Sequence, residues 1–235
     1  MSRFAITAEG IRKMYGGKPV LQGISVNIKR GEIYGLVGKN GSGKTTLFRI
    51  LTGLIQEYEG KVSINQIDGR ASKVSAVINS PSLFLNMSAA QNMKAQAYLL
   101  GICDNKKIEQ TLTMVGLKGC GNKAVKNFSL GMTQRLKLGM ALLDNPDILF
   151  LDEPSNGLDP DGIAELRELL IDINRTSGIT LLISSHILNE LEKTATLIGF
   201  LHEGKIVKEW NTHEIHQSGT TLEAAYLEYI KGVRT

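Results

Sequence analysis

Two stretches of this chain are apolar almost throughout, and others alternate or repeat with a helical period. Ile148–Leu151 in "ILFLD" and Ile179–Ile183 in "ITLLISSH" have the pattern of strands covered on both faces, as at the centre of a parallel sheet. "ISVNIK" instead sets Ile24, Val26 and Ile28 against polar neighbours, the period of a half-buried strand, and "KVSI" does likewise. "EIYGLVG" runs into a glycine-rich loop, after which "TTLFRILTGLI" stacks Leu47, Ile50, Leu51 and Leu54 on one helical face. From about Phe84 to Asp144 the pattern is helical. "SAAQ" at Ser88–Gln91 is a capping box; Ile108, Leu112 and Val115 form one apolar stripe, and Met132, Leu136 and Met140 another. Between the two apolar runs, Asp159 is placed to cap a helix, Pro160 suits its first position and Gly178 follows its end. "GFLHEGKIV" predicts a hairpin around Glu203–Gly204, and the tail from Thr220 a short helix.

Strands alternating with helices predict an α/β fold with a mostly parallel sheet. The early alternating strands predict a small antiparallel β subdomain, and residues 84–144 an inserted α-helical subdomain, within one domain spanning 1–235. At 42% hydrophobic and 21% charged, the composition is that of a globular protein with a buried core. The net charge of +4, with no run of five like charges, suits an anionic ligand or a membrane-adjacent surface and does not call for nucleic acid. Cys103 and Cys120 show neither CxxC nor metal spacing, so reduced thiols are expected. "MSRFAITAEG" lacks the apolar core of a signal peptide, and no apolar run approaches the ~20 residues that span a bilayer. The expectation is a cytoplasmic chain; at a membrane, another chain must supply the spanning part.

Chemistry changes this picture at three places. "GKNGSGKT" fits G-x-x-x-x-G-K-[ST] between a strand and a helix, the form of a P-loop NTPase core. Gly41 and Gly43 permit backbone geometries closed to other residues, so N–H groups can approach a phosphate, and the helix that follows aims its positive end there. The nucleotide-contacting set is Gly38, Lys39, Asn40, Gly41, Ser42, Gly43, Lys44, Thr45 and Thr46, with Lys44 reaching the β- and γ-phosphates and Thr45 ligating Mg²⁺. "ILFLDEP" ends a buried strand in two acids, where open α/β sheets bind ligands: Asp152 suits Mg²⁺, and Glu153 can orient or deprotonate the attacking water. His186 ends the other buried run and is placed to contact the γ-phosphate or that water.

These features suit many nucleotide hydrolases. Combined with "NFSLGMTQR" at 127–135, they resemble the ATP-binding cassette (ABC) ATPases over nearly the whole chain. The stretch corresponds to the family signature, commonly "LSGGQ", here with Leu130 and Met132 in place of Gly and Gln. The resemblance implies that Tyr15 stacks on adenine, that "SNGLD" ending at Asp159 is the D-loop, and that His186 is the switch histidine. It also implies that Ser129 and the N–H groups around Gly131, at a helix start, meet the γ-phosphate of ATP held by a second copy. "SLGMTQRL", "LDEPSNGLDPDGI" and "SSHILNELE" are similar to the bacitracin- and lantibiotic-type exporters. That group implies an ATPase with ATP and Mg²⁺, an ATP-sandwich dimer, a separate transmembrane permease, and a peripheral position on the cytoplasmic membrane face. In the corresponding Q-loop, Asn79 stands where glutamine or glutamate is usual, shorter by roughly 1.5 Å. Asn79 is either a water-mediated metal contact or part of an Asn-Ser-Pro turn. Exporters of other substrates and soluble ABC ATPases share the same core motifs.

Overall fold

The structure is a computed structural model that describes residues 3–67, 69–78, 83–217 and 219–233. In chain order its strands are β1 (Phe4–Tyr15), β2 (Lys18–Lys29), β3 (Ile33–Val37), β4 (Glu59–Ile64), β5 (Val74–Val77), β6 (Ile148–Asp152), β7 (Thr180–Ser185), β8 (Leu197–His202) and β9 (Lys205–Asn211). The α-helices are α1 (Lys44–Leu51), α2 (Ala89–Leu99), α3 (Asn105–Met114), α4 (Leu130–Leu142), α5 (Pro160–Ser177), α6 (Leu188–Glu192), α7 (Thr212–Gln217) and α8 (Leu222–Val233).

The main sheet has the order β5-β6-β7-β3-β8-β9, parallel except where β9 returns against β8. The two apolar runs are β6 and β7, neighbours inside that sheet. Both faces are covered, which is why neither run alternates. Leu149, Leu151, Leu181 and Ile183 point into a core shared with α2–α5, while Ile148, Phe150 and Leu182 point into a second core. That second core lies under α1 and the small sheet β2-β1-β4, which is antiparallel.

Local signals hold closely. Ser88 and Gln91 form a reciprocal capping box on α2. The Asp159 carboxylate accepts the Gly162 N–H at 2.8 Å to cap α5, and Gly178 ends it at φ 67°. Glu203 and Gly204, both at positive φ, turn β8 into β9. Both cysteines are free thiols.

Other elements differ from the pattern. Strand β1 carries no clean alternation, because its pairing with β2 slips between Ala8 and Ile11 at the positive-φ Gly10. Helix α1 stops at Leu51, so Leu54 leaves the predicted stripe and is 67% exposed. Strand β5 is too short to show a period, and α7 is an unanticipated helix before the tail.

Candidate active site

Strand order builds the site. β7 lies between β3 and β6, and the three strands end at the same level, with Val37 opposite Ser185 and Asp152 opposite Ser184. The loop after β3 and the acids after β6 therefore face each other across the end of β7.

The loop from Gly38 to Gly43 has no room for ordinary side chains at its two tight points. A Cβ on Gly38 would lie 2.5 Å from the Leu201 carbonyl oxygen and 2.6 Å from Ser42 Oγ. Gly43 has φ 109°, and a Cβ there would meet Leu21 at 2.7 Å. Lys44 opens α1 and is buried; its Nζ donates to the Gly38 carbonyl at 2.6 Å and lies 3.1 Å from Glu153 Oε1. The Ser42 hydroxyl is buried and has no hydrogen-bond partner among the described residues. A backbone cradle with a buried cation and an orphaned hydroxyl fits a polyphosphate. Thr46 follows in the first turn of α1, half-buried.

Thr45 Oγ1 donates to Asp152 Oδ2 at 2.6 Å, and Ser184 Oγ donates to Asp152 Oδ1 at 2.6 Å. A hydroxyl and one carboxylate on adjoining elements suit a hard cation that keeps most of its waters, as Mg²⁺ does. Among the described residues no cluster of three His, Cys, Asp or Glu side chains offers a transition-metal cage. Glu153 sits at φ 51°, a left-handed conformation unusual for its residue type. Its N–H is held by the Ser184 carbonyl and hydroxyl oxygens, at 3.2 and 2.9 Å. The turn delivers its carboxylate to Lys44 on one side and to His186 Nδ1, 2.7 Å from Oε2, on the other.

Ser184 was not legible as a site residue. It directly follows an apolar run, one of two adjacent serines, and nothing in its spacing announces that one hydroxyl serves both acids.

Lys39 and Asn40 line a cavity of about 340 Å³ with His186, Phe200 and Tyr226. Tyr15 ends β1 at the hairpin whose Val20 and Leu21 touch Gly43; its ring is exposed, with Lys13 Nζ 5.2 Å from the centroid. Ser129 caps α4, its Oγ accepting the Met132 N–H at 3.2 Å. Ser129, Gly131 and Asp159 share a second groove of about 410 Å³, whose lining includes none of residues 38–46. Asn79 lies outside the described residues.

Residues 21–156 match the family described as ABC transporter. The chain is 42% identical to the lantibiotic transport ATP-binding protein SrtF of Streptococcus pyogenes, over 86% of this chain and 88% of that one. It is 40% identical to the bacitracin transport ATP-binding protein BcrA of Bacillus licheniformis, over 87% of this chain and 69% of that one. Among solved structures, cbiO1 from Clostridium perfringens, part of the ABC transporter complex cbiONQ, superposes with a TM-score of 0.82. The two are 26% identical, with 92% of each chain covered.

Proposed function

This chain belongs to the ABC transporter family as an ATP-binding, ATP-hydrolysing subunit, and on that premise we propose that it drives export of a peptide antibiotic. It would do so as a pair of copies, on the cytoplasmic face of a membrane, beneath a separate permease. The cargo reading is supported by the transport functions in the names of SrtF and BcrA. No helix among the described residues is long and apolar enough to cross a membrane, so this reading assigns the translocation path to the permease. Its docking segment would be the stretch around 79–92, which leads from β5 into α2.

One observation carries the pairing. The cavity lined by Gly38, Lys39, Asn40 and His186, and the groove of Ser129, Gly131 and Asp159, are separate concavities of one chain. The groove opens at the N-terminus of the 13-residue helix α4, where the helix dipole favours an anion. A second copy would bring its groove over the first copy's cradle, and the γ-phosphate would join them.

Within the cradle, loop N–H groups and Lys44 Nζ would bind the phosphates, Lys44 exchanging Glu153 for them. Thr45 and Asp152 would hold Mg²⁺, which when bound neutralises phosphate charge. Released from Lys44, Glu153 would orient the attacking water and take its proton, while His186 Nδ1 steadies the other carboxylate oxygen. Tyr15 would stack on the adenine. Asn79 would approach Mg²⁺ through water.

The test is Glu153→Gln, which keeps the shape of the side chain and removes its basicity. With ATP and Mg²⁺ it should elute as a dimer, and adding Ser129→Ala with Gly131→Asp should return it to monomer. Persistent monomer in the single variant, or a dimer indifferent to the signature changes, would refute the shared site.

A further inference from the structure

We propose that Leu130 is a positioning residue for ATP hydrolysis: by packing on the turn at Gly157 it steadies the segment that aims Glu153 of the same chain. The inference rests on the reading of Glu153 as the group that orients the attacking water, and it adds a residue that acts through that group.

Two short stretches face each other in the structure, Leu130–Gly131 at the start of α4 and Gly157–Leu158 ahead of α5. Each leucine lies over the other stretch's glycine. A Cβ on Gly157 would sit 2.9 Å from Leu130 Cδ2, and a Cβ on Gly131 would sit 3.9 Å from Leu158 Cδ2. A Leu130 methyl therefore occupies the space that a side chain at 157 would need. Gly157 has φ 80°, the left-handed region that glycine enters freely, so the turn offers Leu130 bare backbone. Leu158 packs inward against the core shared with α2–α5. Leu130 stays half-exposed, its outer side lining the groove beside Ser129.

The turn leads straight back to Glu153. The Glu153 carbonyl accepts the Asn156 N–H at 3.1 Å, and the Ser155 carbonyl accepts the Leu158 N–H at 3.1 Å, so residues 153–158 form two linked turns. Glu153 is left-handed at φ 51°, and a residue in that conformation persists only where its surroundings over-determine it. Ser184 fixes it from the N-terminal side. From the C-terminal side the restraints are the two turns, the Asp159 cap of α5, and Leu130 on Gly157. Without the Leu130 side chain, the freest residue of the turn loses a contact that confines it. The Glu153 carboxylate then spends less time between Lys44 and His186. Because Leu130 directly follows Ser129, the signature of one chain is packed on the turn that carries that chain's own Glu153.

The experiment measures ATP hydrolysis by the purified full chain against ATP concentration. Leu130→Ala keeps a good helix former at the start of α4 and removes the contact. It should lower kcat about ten- to a hundredfold and leave KM for ATP within about twofold of wild type. Leu130→Met, long enough to reach Gly157, should keep most of the rate. Leu100→Ala, at a position of similar exposure at the end of α2 (42% against 45%), should leave both constants unchanged. In a Glu153→Gln background, Leu130→Ala should cost nothing further, because the group it positions is gone. Gly157→Ala should do more damage with Leu130 present than in Leu130→Ala, since the left-handed strain is common to both and the clash is not. A wild-type kcat in Leu130→Ala, a rise in KM that accounts for the loss, or failure of Leu130→Met to keep the rate each overturns the proposal. So does an equal further loss in Glu153→Gln, a loss of rate in Leu100→Ala matching that in Leu130→Ala, or a Gly157→Ala penalty indifferent to Leu130. Wild-type hydrolysis by Glu153→Gln alone would instead refute the role of Glu153, and this inference with it.

Discussion

Replacing Ser184 by Ala should uncouple the two acids of the site from the strand that holds them. Ser184 is fully buried, and its hydroxyl does two things: it donates to Asp152 Oδ1 at 2.6 Å and accepts the Glu153 N–H at 2.9 Å. The second loss is cushioned, because the Ser184 carbonyl also takes that N–H at 3.2 Å. The first is not, since among the described residues Asp152 keeps only Thr45 as a side-chain partner. A hydrogen bond to a charged group contributes about 1.5–3 kcal/mol. In a chain of this length that corresponds to a fall in melting temperature of roughly 3–10 °C. The functional effect should be more specific: losing the partner that orients a metal-binding carboxylate weakens metal affinity about 10–100-fold. The assay is ATP hydrolysis titrated with Mg²⁺, beside thermal unfolding. Ser185→Ala is the control, because that buried hydroxyl accepts the Ile187 N–H and touches neither acid. It should lose stability without a shift in Mg²⁺ midpoint. If Ser184→Ala unfolds earlier yet keeps the wild-type midpoint, or if both variants shift it alike, Ser184 does not position Asp152.

Lys44→Ala should lower hydrolysis about a hundredfold or more, with the fold intact by circular dichroism, because it removes the buried cation aimed at the cradle. Near-wild-type turnover would discredit the cradle. Tyr34 is buried against Glu209, its hydroxyl donating at 2.8 Å, and burial first and the carboxylate second raise its pKa well above 10.0. The folded state therefore keeps a proton that the unfolded chain loses near pH 10, so this group's contribution is full below that pH and drains above it. Tyr34→Phe should cost about 1–2 kcal/mol in denaturant melts at pH 8 and show a shallower further loss on the alkaline side; parallel pH profiles would refute this. Asp147 is held below its usual pKa of 3.8 chiefly by Arg70, against a smaller opposing effect of burial. Its contribution is present above that value and lost as pH falls through the lowered one, so Asp147→Asn should flatten the acid limb of the stability curve.

The sequence by itself determined what is local. The capping box at Ser88, the Asp159 cap, the turn at Glu203–Gly204 and the glycine-lysine loop were legible because each is decided within a few residues by hydrogen bonds to nearby backbone or by the φ that glycine permits. The two apolar runs were legible as covered strands for a similar reason: a residue period reports how many faces are buried. Strand β1 and the end of α1 were not, because a bulge shifts the period of the one and only tertiary packing sets the last turn of the other. Strand order, too, belonged to the fold. Placing β7 between β3 and β6 brings Thr45 to Asp152 across 107 residues of chain, Lys44 to Glu153, and a hydroxyl that no motif names to both acids. Non-local pairings are chosen by which faces fit together in the finished core, and no window of sequence contains both partners.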